Sequence, residues 1–279
     1  MKNTARWKYQ KMNDETHVLG NQEEQKRIKK LLEQAGRDKV IDSVVRGKEE
    51  TPESAVKPDL SITSEGDVWR IFGVEYRGGV HTVDLVKSLL DGPTTQDEWA
   101  RYSDRRMEIG TYHVGDMPLY HSLFTALYRQ RDKPEAEEAR AFIEKQMSDN
   151  WLMTLTRIRY YLEDNKDKII HNYGTRKRYE IRENIDQKNK RVENETFASL
   201  DAILGTKNAQ EIKEVYNWIC KREVEFKKVM NSKSLGIDDR VVGFSNNNAS
   251  ALPCYIDCQR FVDSTNEPAL LVRIVGWGK

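Results

Sequence analysis

The helix that begins after Asp116 is the clearest structural signal in this sequence. Asp116 is a good N-cap, and Pro118 falls in the first turn, where its missing N–H does no harm. The apolar side chains that follow form two neighbouring stripes, Leu119, Leu123, Ala126 and Leu127 beside Tyr120, Phe124 and Tyr128. Such a wide apolar face must be buried, so this helix has to pack against a core.

The segments after this helix are predicted to be a second helix and then a strand. A second helix is predicted after Pro134, and the short connection predicts that the two pack as a hairpin. From Trp151 to Tyr161 side chains alternate as in a strand, although the same segment also allows a helix. After the polar turn at 163–168, residues 169–173 are expected to return antiparallel.

Further elements are predicted on both sides of this region. A strand from Val68 to Tyr76 precedes a turn at Gly78-Gly79, and a helix starting at Thr82 or Asp84 follows. Asn208 caps a long helix that reaches Met230 and pairs Glu223 with Lys227, and a strand over 268–275 ends the chain. Strands before and after helices, without a repeating βαβ order, predict an α+β fold of mixed helices and short antiparallel strands.

The N-terminal part has a different composition. Residues 1–66 are predicted to be a charged arm and linker, partly helical or disordered, and residues 67–279 an α+β globular domain. Residues 25–34 have the spacing of a short amphipathic helix, whereas the chain from Gly47 to Asp67 contains two prolines and many small polar residues.

The overall charge favours no particular partner. With 46 basic and 45 acidic side chains the formal net charge is +1, so attraction to a polyanion has to come from a local patch. Three cysteines do not make a disulfide framework, which favours a reducing cytoplasm. The N-terminus lacks the apolar stretch of a signal peptide, and no window approaches the roughly 18 apolar residues of a membrane span. We therefore expect a soluble cytoplasmic protein that does not bind a membrane.

Two of the histidines lie close together in sequence. His113 is in a glycine-flanked loop beside the N-terminus of the helix that carries His121, where free N–H groups favour an anion. With Asp116 they could also bind a metal. The simpler interpretation is that Asp116 only caps the helix and that His121 shares a polar stripe with Thr125 and Arg129. Since no familiar ligand spacing is present, we predict no metal site.

Other chemical motifs are absent from the sequence. There is no glycine-rich dinucleotide motif, no phosphate-binding Gly-Lys-Ser/Thr motif and no Gly-x-Ser-x-Gly turn, so no cofactor is predicted. Cys254 and Cys258 have one residue more between them than a zinc ribbon uses, and in a strand they would lie about 13 Å apart, too far for a disulfide. Cys220 is interpreted as a small, partly buried side chain of the long helix.

The stretch from Arg157 to Arg191 combines basic and aromatic side chains. Residues 151–190 contain ten basic and six acidic side chains. Lysine and arginine contact phosphates, while tyrosines stack on unpaired bases. The alternative is a solvated hairpin whose tyrosines pack inward and whose acidic residues weaken the field. The candidate nucleic-acid-binding residues are Arg157, Arg159, Arg176, Lys177, Arg178 and Tyr179.

Two parts of the chain resemble proteins of archaeal and related prokaryotic genomes. They are residues 151–160 (WLMTLTRIRY) with 170–174 (IHNYG), and the closing segment 268–273 (PALLVR). The resemblance covers a minor part of the chain and has no diagnostic motif. No activity is assigned to that group, so the resemblance implies only a prokaryotic cytoplasm.

Three functions are consistent with these patterns. The leading hypothesis is a non-enzymatic protein that binds RNA or a ribonucleoprotein through the basic hairpin and the loop after it. The second is a phosphate-ester hydrolase in which His113, His121 or His171 acts as general acid or base, with arginine stabilising the oxyanion. For this, His171 has to lie on the same face as Arg157 and Arg159. The third is a structural or assembly protein that binds a protein partner.

Overall fold

The structure is a computed structural model with two β-sheets and five helices in its described part. The described residues are 60–90, 95–161, 166–185, 190–192, 198–227, 238–246, 253–262 and 267–276. The predicted α+β class is confirmed. The predicted arm lies outside these ranges up to residue 59, so its order and the domain boundary stay predictions. Within them, no helix has the length and apolar content needed to cross a bilayer.

The smaller sheet has five strands in the order β1-β2-β3-β12-β4, all antiparallel. Its strands are β1 (Ile62–Glu65), β2 (Val68–Tyr76), β3 (Gly79–Val86), β4 (His113–Val114) and β12 (Leu271–Ile274). Strand β2 and the C-terminal strand confirm two predictions. Strand β1 lies inside the stretch that the sequence analysis assigned to the linker.

The helix predicted to start at Thr82 or Asp84 is wrong. Residues 79–86 form β3, in which Val83 pairs with Ile71 and Leu85 with Trp69. The spacing of the apolar residues here fits both a helix and a strand. The hairpin with β2 decides between them, because pairing satisfies the backbone and buries Val83 and Leu85 completely.

Three helices follow β3 of the smaller sheet and precede the strands of the larger sheet, and β4 separates the first from the second. They are α1 (Gln96–Glu108), α2 (Met117–Tyr128) and α3 (Pro134–Asp149). Helices α2 and α3 confirm the predicted pair, and the Asp116 carboxylate caps α2 by accepting from the Leu119 N–H at 3.0 Å. The sequence analysis did not predict α1, whose signal is the capping box of Thr95 with Glu98.

The larger sheet has seven strands in the order β7-β6-β5-β10-β11-β9-β8. They are β5 (Leu152–Tyr160), β6 (Asp167–His171), β7 (Tyr179–Glu183), β8 (Lys190–Arg191), β9 (Val224–Lys227), β10 (Asp238–Asn246) and β11 (Cys254–Phe261). Only β9 and β11 pair in parallel. The strand interpretation of residues 152–160 is confirmed over the helical one, as is the antiparallel return in β6.

Two helices, α4 (Ala198–Leu204) and α5 (Ala209–Cys220), precede β9. Asn208 caps α5 as predicted, but the prediction that this helix continues to Met230 is wrong. Lys221 has a φ of 54°, which ends the helix, and the next residues enter β9. The predicted helical pair of Glu223 with Lys227 is therefore not formed, because Lys227 lies in a strand.

The core joins helices α2 and α5 to the larger sheet. Phe124 of α2, Tyr216 of α5 and Phe244 of β10 are almost fully buried, and their ring centroids lie 5.5 to 6.2 Å apart. This packing fixes α2 against the sheet, so the N-terminus of α2 is a rigid reference point for the loops around it.

Candidate functional site

The turn between β2 and β3 has an arginine where such a turn favours glycine or asparagine. Arg77 and Gly78 are its two central residues, with φ values of 52° and 75°. A two-residue turn with both φ values positive suits the twist of a hairpin, but a long side chain is strained there. The turn therefore lies one residue before the predicted Gly78-Gly79. An arginine kept at a strained position is a candidate for function.

Arg77 contacts the loop between β6 and β7. Its Nη1 donates to the Lys177 carbonyl at 3.4 Å, and its guanidinium lies 4.7 Å from the centre of the Tyr179 ring. Arg77 is exposed, and no carboxylate in the described ranges forms an ion pair with it. Its positive charge is therefore available to a ligand.

The loop that carries Lys177 is held by its own hydrogen bonds. The Thr175 hydroxyl donates to the Asn172 carbonyl at 2.8 Å and accepts from the Lys177 N–H at 3.2 Å. Gly174 has a φ of 70°, and a Cβ there would lie 2.6 Å from the Cβ of Ala100. Only glycine fits at this position, so the loop backbone is fixed against α1.

A buried carboxylate links this loop to the hairpin. Asp116 is fully buried, and it accepts from the Tyr76 hydroxyl at 2.9 Å in addition to capping α2. The Asn172 side-chain amide donates to the same Tyr76 hydroxyl at 3.0 Å. Burial raises the pKa of Asp116, while hydrogen bonds from Leu119 and Tyr76 and the positive charge of Arg77 oppose that shift. The network fixes the residue before Arg77 and the start of the Lys177 loop in one arrangement.

Two neighbouring clefts meet at Tyr76 and Arg77. The first, of about 360 Å³, is lined by Tyr76, Arg77, His81 and Lys177. The second, of about 530 Å³, also has Tyr76 and Arg77 in its wall, and its apolar lining comes from Val80, Pro118, Tyr179 and Leu204. The first cleft is therefore cationic, whereas the second, the apolar cleft, combines these apolar side chains with Ser122 and with Glu75, whose carboxylate pairs with Arg129. We call the set of Tyr76, Arg77, His81, Lys177 and Tyr179 the Arg77 site.

Arg157 and Arg159 share a face of β5, as predicted, but both are engaged by acidic or amide groups. Arg157 is buried and donates to Gln96 at 2.8 Å and Asp97 at 2.7 Å. Arg159 donates to both carboxylate oxygens of Asp239 at 2.7 and 2.8 Å. These contacts neutralise most of the positive charge that the hairpin was predicted to present.

The basic run after Gly174 divides into two parts. Arg176 forms an ion pair with Glu108 at 2.6 Å, and its backbone N–H donates to Asp104. Lys177 and Arg178 are exposed, and Tyr179 is half-buried at the first position of β7. Of the predicted binding residues, Lys177 and Tyr179 belong to the Arg77 site and Arg178 lies between them in sequence.

His171 is a neutral, buried residue of the core. The Ala202 carbonyl, which can only accept, lies 2.8 Å from Nε2, so this nitrogen carries the hydrogen. The other nitrogen then accepts from the Thr156 hydroxyl at 3.0 Å. Burial lowers the pKa of His171. Both ring nitrogens are therefore used within the fold.

The three predicted histidines lie on different elements. His113 is buried on β4, and its Nδ1 donates to the Thr111 carbonyl at 2.8 Å. His121 is buried in α2 and stacks on Tyr216 with 5.8 Å between ring centres. Burial lowers the pKa of both His113 and His121 to about 4.

His171 also faces away from the arginine pair. Arg157 pairs with Ile170 and Arg159 with Lys168, so these four side chains share one face of the sheet. His171 lies on the other face with Thr156. The geometry that the hydrolase hypothesis requires, with His171 beside Arg157 and Arg159, is not formed.

Sequence reasoning missed Arg77 and His81. His81 lies on β3, and its Nε2 donates to the Tyr76 carbonyl at 3.0 Å. The available signal is the arginine directly before the predicted Gly78-Gly79 turn. The described residues include no group of three or more histidine, cysteine or acidic side chains placed to hold a metal ion.

Comparisons with known proteins do not assign the chain to a family. No family model, no curated protein and no solved structure matches it. The resemblance of the three short segments to archaeal and related prokaryotic proteins therefore stays a prediction.

Proposed function

We propose that this protein binds single-stranded RNA, alone or within a ribonucleoprotein, through the Arg77 site. The observation that carries the proposal is Arg77 itself. It occupies a strained backbone position, it is exposed, and no carboxylate of the described residues lies within ion-pair distance of it. A glycine would form this turn at lower cost, so the side chain has a use outside the turn.

The cationic cleft is suited to a phosphate. Arginine presents several N–H donors in a fixed plane, and lysine adds a second charge on the facing loop. Arg77 and Lys177 line the cleft together with His81. A phosphate bound between the two loops would contact both of them at once.

The apolar cleft is suited to an unstacked base. It shares Tyr76 and Arg77 with the cationic cleft, so a nucleotide can place its phosphate in one cleft and its base in the other. Val80, Pro118 and Leu204 offer apolar surface for such a base. Bases in a duplex are stacked and paired, whereas those of a single strand are free to enter.

This proposal narrows the surface that the sequence suggested. Arg157, Arg159 and Arg176 are engaged by carboxylates or amides, and we assign them to the fold rather than to the partner. We propose binding rather than hydrolysis because both ring nitrogens of His171 are used by Thr156 and Ala202, and because His113 and His121 are buried elsewhere.

The test compares two arginine variants of the full chain in titrations with a labelled single-stranded oligoribonucleotide. Arg77→Gly keeps the turn and removes the charge, and we expect it to weaken binding about tenfold or more, the effect of one lost charge-assisted hydrogen bond. Arg176→Ala is the matched control, because Arg176 is also exposed but already paired with Glu108.

Two outcomes would contradict the proposal. One is an affinity of Arg77→Gly equal to that of the unchanged protein. The other is an equal loss in both variants, which would mean that general surface charge, and not the Arg77 site, holds the RNA. A duplex of the same sequence should bind more weakly than the single strand, because its bases cannot enter the apolar cleft.

A further inference from the structure

Two buried cysteines from distant parts of the chain are in contact. The Sγ atoms of Cys220 and Cys254 lie 2.8 Å apart, and both side chains are about 99% buried or more. Cys220 is the last residue of α5, and Cys254 is the first residue of β11. Neither thiol belongs to the Arg77 site, so the contact between them is independent of the proposed binding site.

The backbone holds these two residues together. The Cys254 N–H donates to the Glu223 carbonyl at 2.8 Å, and Cys254 pairs with Val224 in the parallel ladder of β9 and β11. Lys221 turns the chain directly after Cys220. The sheet register and the turn at Lys221 therefore bring the backbones of Cys220 and Cys254 close together.

The end of α5 is fixed from a second side as well. The Ile219 carbonyl accepts from the Arg140 guanidinium at 3.3 Å, and Arg140 is itself held by Glu137 and Glu144. A cation at the C-terminus of a helix satisfies carbonyls that the helix leaves open. Because both backbones are anchored, bond formation needs only a small movement of the side chains.

We propose that Cys220 and Cys254 form an intramolecular disulfide when the protein meets a peroxide. One thiolate attacks a peroxide oxygen and becomes a sulfenic acid, and the second oxygen leaves as water after taking up a proton. The other thiol then attacks the sulfenic sulfur, the S–S bond forms and a second water leaves. The protein loses two electrons and two protons, and hydrogen peroxide is reduced to two molecules of water.

The third cysteine provides an internal control. Cys258 is also fully buried and lies on the same strand as Cys254, four residues away, which corresponds to about 13 Å in an extended chain. A disulfide cannot span that distance. Burial raises the pKa of the Cys220 thiol, so we expect oxidation to be slow at neutral pH and faster at higher pH.

The bond would stabilise the fold. It joins residues 34 positions apart and so limits the freedom of the unfolded chain more than that of the folded chain. We therefore expect the oxidised protein to melt several degrees above the reduced protein. This inference does not depend on the proposed RNA binding.

The test counts thiols after treatment of the folded full-length protein with hydrogen peroxide. Titration in denaturant should find three thiols before treatment and one after it. Cys258→Ser should still lose both of its thiols, whereas Cys220→Ser and Cys254→Ser should each keep both of theirs. Circular dichroism checks that each variant is folded.

A peptide map of the unmodified sequence makes the result independent of the variants. Trypsin followed by Asp-N places Cys220 on the peptide 214–221, Cys254 on the peptide 241–256 and Cys258 on the peptide 257–260, and the oxidised protein should yield the first two joined. Three thiols after treatment would overturn the proposal. So would loss of two thiols in Cys220→Ser or Cys254→Ser, because the bond would then use Cys258.

Discussion

The Tyr76 hydroxyl donates to the Asp116 carboxylate at 2.9 Å, which ties the last residue of β2 to the N-cap of α2. The same hydroxyl accepts from the Asn172 amide, so three separate segments meet at one buried oxygen. Arg77 follows Tyr76 directly, and the loop with Lys177 follows Asn172. The position of both cations therefore depends on a carboxylate that the sequence identified only as a helix cap.

Tyr76→Phe is expected to destabilise the fold. Removing the hydroxyl leaves Asn172 without this acceptor and Asp116 without this donor in a buried place, so we expect the free energy of unfolding to fall by about 1–3 kcal/mol. Urea denaturation measures this change. Tyr128→Phe is the matched control, because its hydroxyl contacts Glu214 at the surface and should matter little. Equal effects of the two changes would contradict the role of the Asp116 network.

Stability is expected to fall in mild acid because of the buried histidines. A histidine whose folded pKa is lowered stays neutral in the fold, while the unfolded chain takes up a proton below its ordinary pKa of about 6.5. Stability is therefore complete above that pH and is lost as the pH falls toward about 4, the folded pKa of His113 and His121. Each of the two should contribute about 3 kcal/mol to this loss.

His121→Phe measures how much of that pH dependence comes from His121. In the described residues neither ring nitrogen of His121 has a hydrogen-bond partner, so a phenyl ring can replace the imidazole against Tyr216 without leaving a polar group unsatisfied. The variant should lose less stability than the unchanged protein between pH 7 and pH 4 in urea unfolding. Parallel curves for the two proteins would show that His121 is not kept neutral by the fold.

Arg157→Ala tests whether Arg157 stabilises the fold or contacts the RNA. Arg157 is buried and bonds Gln96 and Asp97, so its removal should lower the free energy of unfolding by about 2–3 kcal/mol. The RNA affinity of the folded variant should not change. Weaker RNA binding with unchanged stability would instead return Arg157 to the binding surface that the sequence suggested.

Local sequence signals predict a helix or a strand correctly where the capping residues and the apolar spacing fit only one of the two. Asp116 with Pro118 predicted the start of α2, whereas the alternation from Trp151 to Tyr161 favoured the strand β5 and left a helix open. They failed at β3 and β9, where the apolar spacing fits both a helix and a strand. There the decision comes from strand pairing between residues far apart in sequence, such as Val224 with Cys254.

The candidate site could be predicted only in part. Lys177 and Tyr179 were found because they lie in an obvious basic run, but the same run contains Arg176, which an acidic residue of α1 engages. Sequence composition does not show which cations meet a carboxylate in the fold. Arg77 was missed because its importance comes from the facing loop, which is 100 residues away in the chain.

The salt dependence of RNA binding tests the central claim most directly. The logarithm of the binding constant for a single-stranded oligoribonucleotide should fall linearly with the logarithm of salt concentration. If Arg77 contacts a phosphate, Arg77→Gly should reduce that slope by about 0.7 as well as weaken binding, and Arg176→Ala should leave the slope unchanged. The same slope in Arg77→Gly and in the unchanged protein would contradict the account.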